Sequence, residues 1–235
     1  MWSNGMMRAL AAALFLAGLL ASDPVAAASR CLPPVGTLVY QVLNDGVPVG
    51  MVRIALDGAG GGRRIRSSVD VELTVLAVLK LRYQHQSEEL WRDGAFHSFH
   101  GRTEDLGKRY EVAIEARDGD IEMTRNGAAK AAAGPLMSWV VWCEAALREA
   151  RVVDPLKGKL KGISASFLGA ERIELAGRQV VGRRYRVTRK ESTGEVWYGP
   201  DGIVAMARFS TVIGTTGTVV LIENSTVTSV TQKPG

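Results

Sequence analysis

The 235 residues contain only two cysteines and three histidines, which limits the metal chemistry open to the chain. His97 and His100 have a spacing that shares a face on a helix, but they follow an Asp-Gly pair in a segment that reads as a strand. There, residues three apart point to opposite faces. No Cys or carboxylate pair completes a ligand set at a diagnostic spacing, so neither a metal nor another cofactor is expected. Nucleophile signatures are missing too, since no Gly-x-Ser-x-Gly occurs. Glu88 and Glu89 are adjacent, so a strand turns them to opposite faces and prevents a close carboxylate pair. Gly58 to Gly62, followed by Arg63, Arg64 and Arg66, lacks the Lys-Ser/Thr ending of a phosphate loop and reads as a hairpin tip. No catalytic residue is assigned on this basis.

Long apolar runs are scarce as well. The one that exists is N-terminal: Arg8 is the only cation of Met1 to Arg8, Ala9 to Leu20 is unbroken and apolar, and Ala21 to Ala28 ends in small residues after Pro24. This order predicts a secretory signal peptide over 1–28, cleaved after Ala28 or Ala27. A spanning helix needs about 20 apolar residues, so the chain is expected not to span a membrane after cleavage and to reside in the periplasm. Arg30 occupies the place where a lipidated Cys31 needs a small residue. In an oxidising compartment the even count predicts a Cys31–Cys143 bridge, the other reading being two separate thiols. The net charge of +5 bears on encounter with anionic surfaces and not on activity.

What the chain has in quantity is alternation. Short runs are punctuated by Asn44-Asp45-Gly46, Asp93-Gly94, Asp118-Gly119, Asn126-Gly127 and Asp201-Gly202, the strongest short-range hairpin signal. Thr37 to Leu43 and Val47 to Leu56 form the first predicted hairpin. Tyr110, Val112, Ile114 and Ala116 fall on one face of a strand, with Glu111 and Glu115 on the other. In Arg183 to Lys190, Tyr185 and Val187 face inward and Arg184, Arg186 and Lys190 outward, a solvated face without the interleaved aromatics of a nucleic-acid groove. Pro135 to Ala150 breaks the rhythm, with Trp139, Trp142 and Ala146 at helical spacing and Ser138 placed to cap. Ala128 to Gly134 reads as a linker and Pro155 to Gly162 as a loop.

The expected architecture is mostly β: one curved antiparallel sheet, a half-barrel of about ten strands, with one short helix over its concave side. A single domain over 29–223 and a polar tail over 224–235 follow. Leu73 to Leu81 reads as one strand apolar on both faces, which lies in a central core or lines a cavity. Leu73, Val75, Leu79 and Leu81, continued by Tyr83, are the candidate ligand-binding residues, with Trp139 or Trp142 at the mouth.

Several motifs carry a resemblance: Val39-Tyr40-Gln41-Val42 with Gly46-Val47-Pro48-Val49-Gly50, Leu81 to His85 with Glu89 to Gly94, Ser138-Trp139, and Val196 to Gly202. From Tyr40 through Ile222 the chain resembles a family of exported Gram-negative proteins catalogued only as a domain of unknown function. That family is similar in pattern to periplasmic carriers of the lipoprotein-localisation type, which implies a curved half-barrel around an apolar cavity. It supplies no catalytic residues. The leading expectation is a non-enzymatic periplasmic domain that binds a lipid or other apolar ligand, or assists envelope assembly. The alternatives are a hydrolase or isomerase of an envelope lipid or glycan, if His85, His97, Glu89 and Asp105 converge, and a structural partner of another envelope protein. No nucleic-acid partner is expected.

Overall fold

The computed structural model describes residues 34–226 apart from 60, 76–78, 94, 118–119, 133–143, 145–146, 148–150, 155–158, 176, 190–191 and 212–213. The chain forms β1 (Gly36–Asn44), β2 (Val47–Ala59), β3 (Gly62–Val75), β4 (Leu79–Arg92), β5 (Ala95–Asp105), β6 (Lys108–Arg117) and β7 (Asp120–Arg125). It continues through β8 (Ala128–Ala132), β9 (Arg151–Asp154), β10 (Lys159–Leu175), β11 (Arg178–Arg189), β12 (Ser192–Tyr198), β13 (Val204–Ser210) and β14 (Thr216–Asn224).

Two of the hairpin turns are built as their sequences predict, while Gly94 and Asp118-Gly119 lie outside the described residues. Asp45 and Gly46 take φ of 48° and 82°, and Asn126 and Gly127 take 50° and 77°, the paired left-handed conformation whose twist matches flanking strands. Leu106 and Gly107, at 53° and 77°, make the same turn without the usual residue at the first position. Leucine is disfavoured there by contact of its Cβ with the following carbonyl, and the Leu106 side chain is 56% exposed. Leu106→Asn is therefore expected to stabilise the protein by about 1 kcal/mol, read as a higher urea midpoint at unchanged slope; a lower midpoint would refute this account of the turn.

All strands lie in one antiparallel order, β8-β7-β6-β5-β4-β3-β2-β1-β14-β13-β12-β11-β10-β9. Two meanders are thus joined where β1 pairs with β14, Tyr40 opposite Leu221. The sheet is open, with β8 and β9 at its edges. It is also rolled: Ile163 and Leu175 of β10 pack against a cluster of Leu38, Tyr40, Ile54, Leu56, Ile65, Trp91, Ile203 and Leu221, although β10 is five places from β1 in the sheet. Most of the buried side chains therefore share a concave inner face, Trp197 being buried on the outer one.

Fourteen strands replace the ten or so expected, for local reasons. Leu73 to Leu81 is not one strand: β3 ends at Val75 and β4 begins at Leu79, with no Gly, Pro, Asn or Asp between them to mark the turn. Leu73 pairs directly with Leu81 and Val75 with Leu79. The Ala-rich stretch expected to be a linker contains β8, pairing with β7. The expected Lys/Gly loop contains the start of β10, which pairs with β9. No α-helix occurs among the described residues. The predicted helix over 135–150 lies outside them, except Glu144 and Leu147, which adopt 3-10 turns. No described helix is long and apolar enough to cross a membrane. The predicted signal peptide, Cys31, Cys143, Trp139 and Trp142 all lie outside the described residues.

Candidate functional site

The inner face is built in layers, each a row of cross-strand neighbours. One row runs Leu56, Ile65, Glu89, Phe99, Ile114 and Met123 from β2 to β7. The next pairs Ser67, Ser87, Gly101 and Val112. Val69, His85, Thr103 and Tyr110 follow, then Val71, Tyr83 and Asp105, then Leu73 and Leu81. Alternation on β4 thus sends Leu81, Tyr83, His85, Ser87 and Glu89 to one side and Glu88 to the other, as the adjacent glutamates predict.

The Glu89 end of this face is filled. Glu89 is only 2% exposed, and its Oε2 accepts a hydrogen bond from Trp91 Nε1 at 3.2 Å. His85 is also buried, with its Nδ1 2.8 Å from Thr103 Oγ1. Gly101 makes this packing fit: a Cβ there would stand 2.6 Å from the Phe99 ring and 3.3 Å from His85 Cε1, so both rings lie across its backbone.

The opposite end is less buried. Val69, Val71, Leu73, Tyr83 and Leu81 are all only half-buried, and none belongs to the core clusters of the described residues. The structure therefore brings three of the sequence-nominated residues, Leu73, Leu81 and Tyr83, to one half-buried inner surface. Val75 and Leu79 continue the same register, though their side chains lie outside what is described.

The candidate acid–base groups are distributed along this face. His85 and Glu89, four residues apart on one strand, are about 13 Å apart at Cα. Asp105 sits opposite Tyr83, diagonal to His85. His100 points outward, 3.2 Å from Glu111. No group of three or more potential metal ligands gathers among the described residues.

A second constellation, on β11 and β12, was not foreseen. Arg183 and Tyr185 alternate inward with Tyr198 opposite Arg183. The Glu144 carboxylate accepts hydrogen bonds from Arg183 Nε to both its oxygens, each at 2.9 Å, an ion pair from Nη2 at 2.7 Å, and one from the Tyr185 hydroxyl. Arg183 Nη2 also donates to the Gly199 carbonyl at 3.1 Å. The hydrogen bond to Glu144 raises the Arg183 pKa above its ordinary value. Phe167, 58% exposed, meets Tyr185 at a tilt with centroids 5.2 Å apart, and Tyr185 meets Tyr198 edge-on at 5.9 Å. Leu147 packs with Val196 and Tyr198. The available signal was parity: an inward Tyr185 makes Arg183 inward as well.

The outer face is ionic by comparison. An open groove of about 610 Å³ there is bordered by Arg53, Arg66, His100 and Arg102, and Arg66 and Arg102 are paired with Asp57 and Glu111. Arg184 and Arg208 cover the outward Trp197 ring at 5.0 and 5.5 Å. The hydrogen bond from Arg184 holds the Glu195 carboxyl below its usual range.

The family described as "Domain of unknown function (DUF6134)" matches residues 40–222. A β-barrel-like protein of another domain of unknown function, DUF1849, from Brucella abortus is similar in structure. The two superpose with a TM-score of 0.59 at 8% identity, over 82% of this chain and 97% of that one. This likeness shows a barrel-like β fold. A candidate lipoprotein from Parabacteroides distasonis aligns over 82% of this chain and 97% of its own at 9% identity, with a TM-score of 0.31. No curated protein matches the chain.

Proposed function

From a chain that belongs to the DUF6134 family of unknown function, we propose a non-enzymatic, exported carrier that holds an amphipathic ligand against the concave face of its sheet. One observation carries the reading: Val69, Val71, Leu73 and Leu81 form a contiguous inward apolar strip that is half-buried and joins no core cluster. Ligand sites are mostly apolar concavities with a few placed polar groups, and Tyr83 and Asp105, both half-buried, supply such groups beside the strip. The signal-like N-terminus adds the compartment, and the cell envelope offers ligands of this kind.

The test is a substitution that occupies the strip. Val71→Trp should leave the urea midpoint nearly unchanged while weakening binding of a fluorescent fatty acid at least about tenfold, since the bulk enters the ligand's space. If the space is instead filled by the protein's own side chains, the same change overpacks it, costing about 1–3 kcal/mol, and the wild type binds no fatty acid. That pair of results would end the carrier reading. Native mass spectrometry of protein taken from the periplasm should show a co-purifying lipid. A ligand converted to its cleavage product on incubation would point to the hydrolase alternative, with His85 and Asp105 as the nearest acid–base neighbours.

A further inference from the structure

We infer that Arg183 and Tyr185 form a carboxylate-binding site on the inner face, occupied in this structure by the protein's own Glu144, and that the ligand of this chain is an amphiphile with a carboxylate head. The inference rests on the reading of this chain as a carrier and adds to it a second contact site on β11, six places from the β3 strip in the strand order. Its basis is the convergence on a single carboxylate of a guanidinium edge, with Nε at 2.9 Å from both oxygens and Nη2 in an ion pair at 2.7 Å, and of a phenolic hydroxyl. Planar guanidinium donors match the two oxygens of a carboxylate in geometry as well as charge. The guanidinium is held from behind by the Gly199 carbonyl, so its orientation does not depend on Glu144 alone.

The surroundings suit an amphiphile. Arg183 and Glu144 side chains remain 34% and 28% exposed, so solvent and solute reach the pair. Beside it lie the rings of Phe167, largely uncovered, and Tyr185, half-buried. A carboxylate head on Arg183 places an acyl chain along these rings. Glu144 satisfies the same donors in the absence of ligand, and a change of its rotamer frees them. An internal carboxylate that competes with the ligand lowers apparent affinity to the fraction of sites it leaves free.

Binding of a long-chain fatty acid and of the fatty alcohol of equal length, measured on the full exported protein, tests this. Wild type should prefer the acid. Glu144→Gln should raise acid affinity about tenfold, which corresponds to about 1.4 kcal/mol, and leave alcohol affinity unchanged. Arg183→Gln should erase the preference for acid while alcohol still binds. Acid and alcohol binding equally well, with Glu144→Gln altering neither, would overturn the carboxylate site and leave the carrier intact. Binding of neither would overturn both. Thermal unfolding of each variant confirms that a lost preference is not a lost fold.

Discussion

Trp91→Ala should lower stability by about 3–5 kcal/mol, the range for removing a buried tryptophan. Trp91 is 3% exposed and sits in the largest core cluster. Its ring meets Phe96 edge-on at 5.7 Å and 87°, and Phe96 packs against both that cluster and the Phe99, Val112, Ile114, Ile121, Met123 cluster. The pair therefore joins two cores along the rolled sheet, and a cavity at position 91 opens both. The indole also donates to the buried Glu89. Trp91→Phe keeps most of the apolar volume but removes that donor, so its expected cost is smaller, about 1–3 kcal/mol. Domains of this kind have about 5–15 kcal/mol in total, so the alanine variant should be near the edge of folding. Urea denaturation of the three proteins decides the matter. A loss below about 1.5 kcal/mol for Trp91→Ala would mean that the two clusters do not depend on this ring.

Raising the pH above about 10 should unfold the protein steeply, through two buried tyrosines. Tyr40 and Tyr198 are 4% and 0% exposed. Burial drives both phenols well above their ordinary pKa, with the charge of Asp201 adding to Tyr40 and those of Glu144 and Tyr185 adding to Tyr198. In the unfolded chain each loses its proton near pH 10, whereas in the fold each keeps it. Above that pH the unfolded state binds fewer protons than the native state, so stability falls as pH rises. Each group contributes a slope of about 1.4 kcal/mol per pH unit, or roughly 2.7 for the two together. The contribution is fully present below pH 10 and is lost progressively above it. Tyr198→Phe should halve the slope whatever it costs at neutral pH, because the comparison is between slopes. Tyrosinate absorbance from all five tyrosines appearing before the cooperative transition would contradict this.

The same two tyrosines mark the division between local and long-range information. Alternation and turn chemistry act between neighbours, so they are written in short stretches of chain. Asp45-Gly46 and Asn126-Gly127 had to take positive φ wherever the rest of the molecule lay. The inward parity of Tyr110, Val112 and Ile114, the outward turn of Arg184 and Arg186, and the opposition of Glu88 to Glu89 follow from the pleat alone. Leu73, Leu81 and Tyr83 could be named for an inner face on that ground. The end of β3 at Val75 and the start of β4 at Leu79 could not, because the sequence between them has none of the residues that turns favour.

Joining of the two meanders belongs to the tertiary structure. Pairing of β1 with β14 joins Tyr40 to Leu221 across most of the chain, and no local pattern specifies a partner at that separation. Rolling of the sheet then brings Ile163 and Leu175 against the cluster that contains Trp91, and it decides which inward residues are filled over and which, such as Leu73 and Leu81, stay half-buried. The meeting of Glu144 with Arg183 is of the same kind. A carboxylate and a guanidinium 39 residues apart have no periodicity in common, and only the folded sheet puts one within reach of the other.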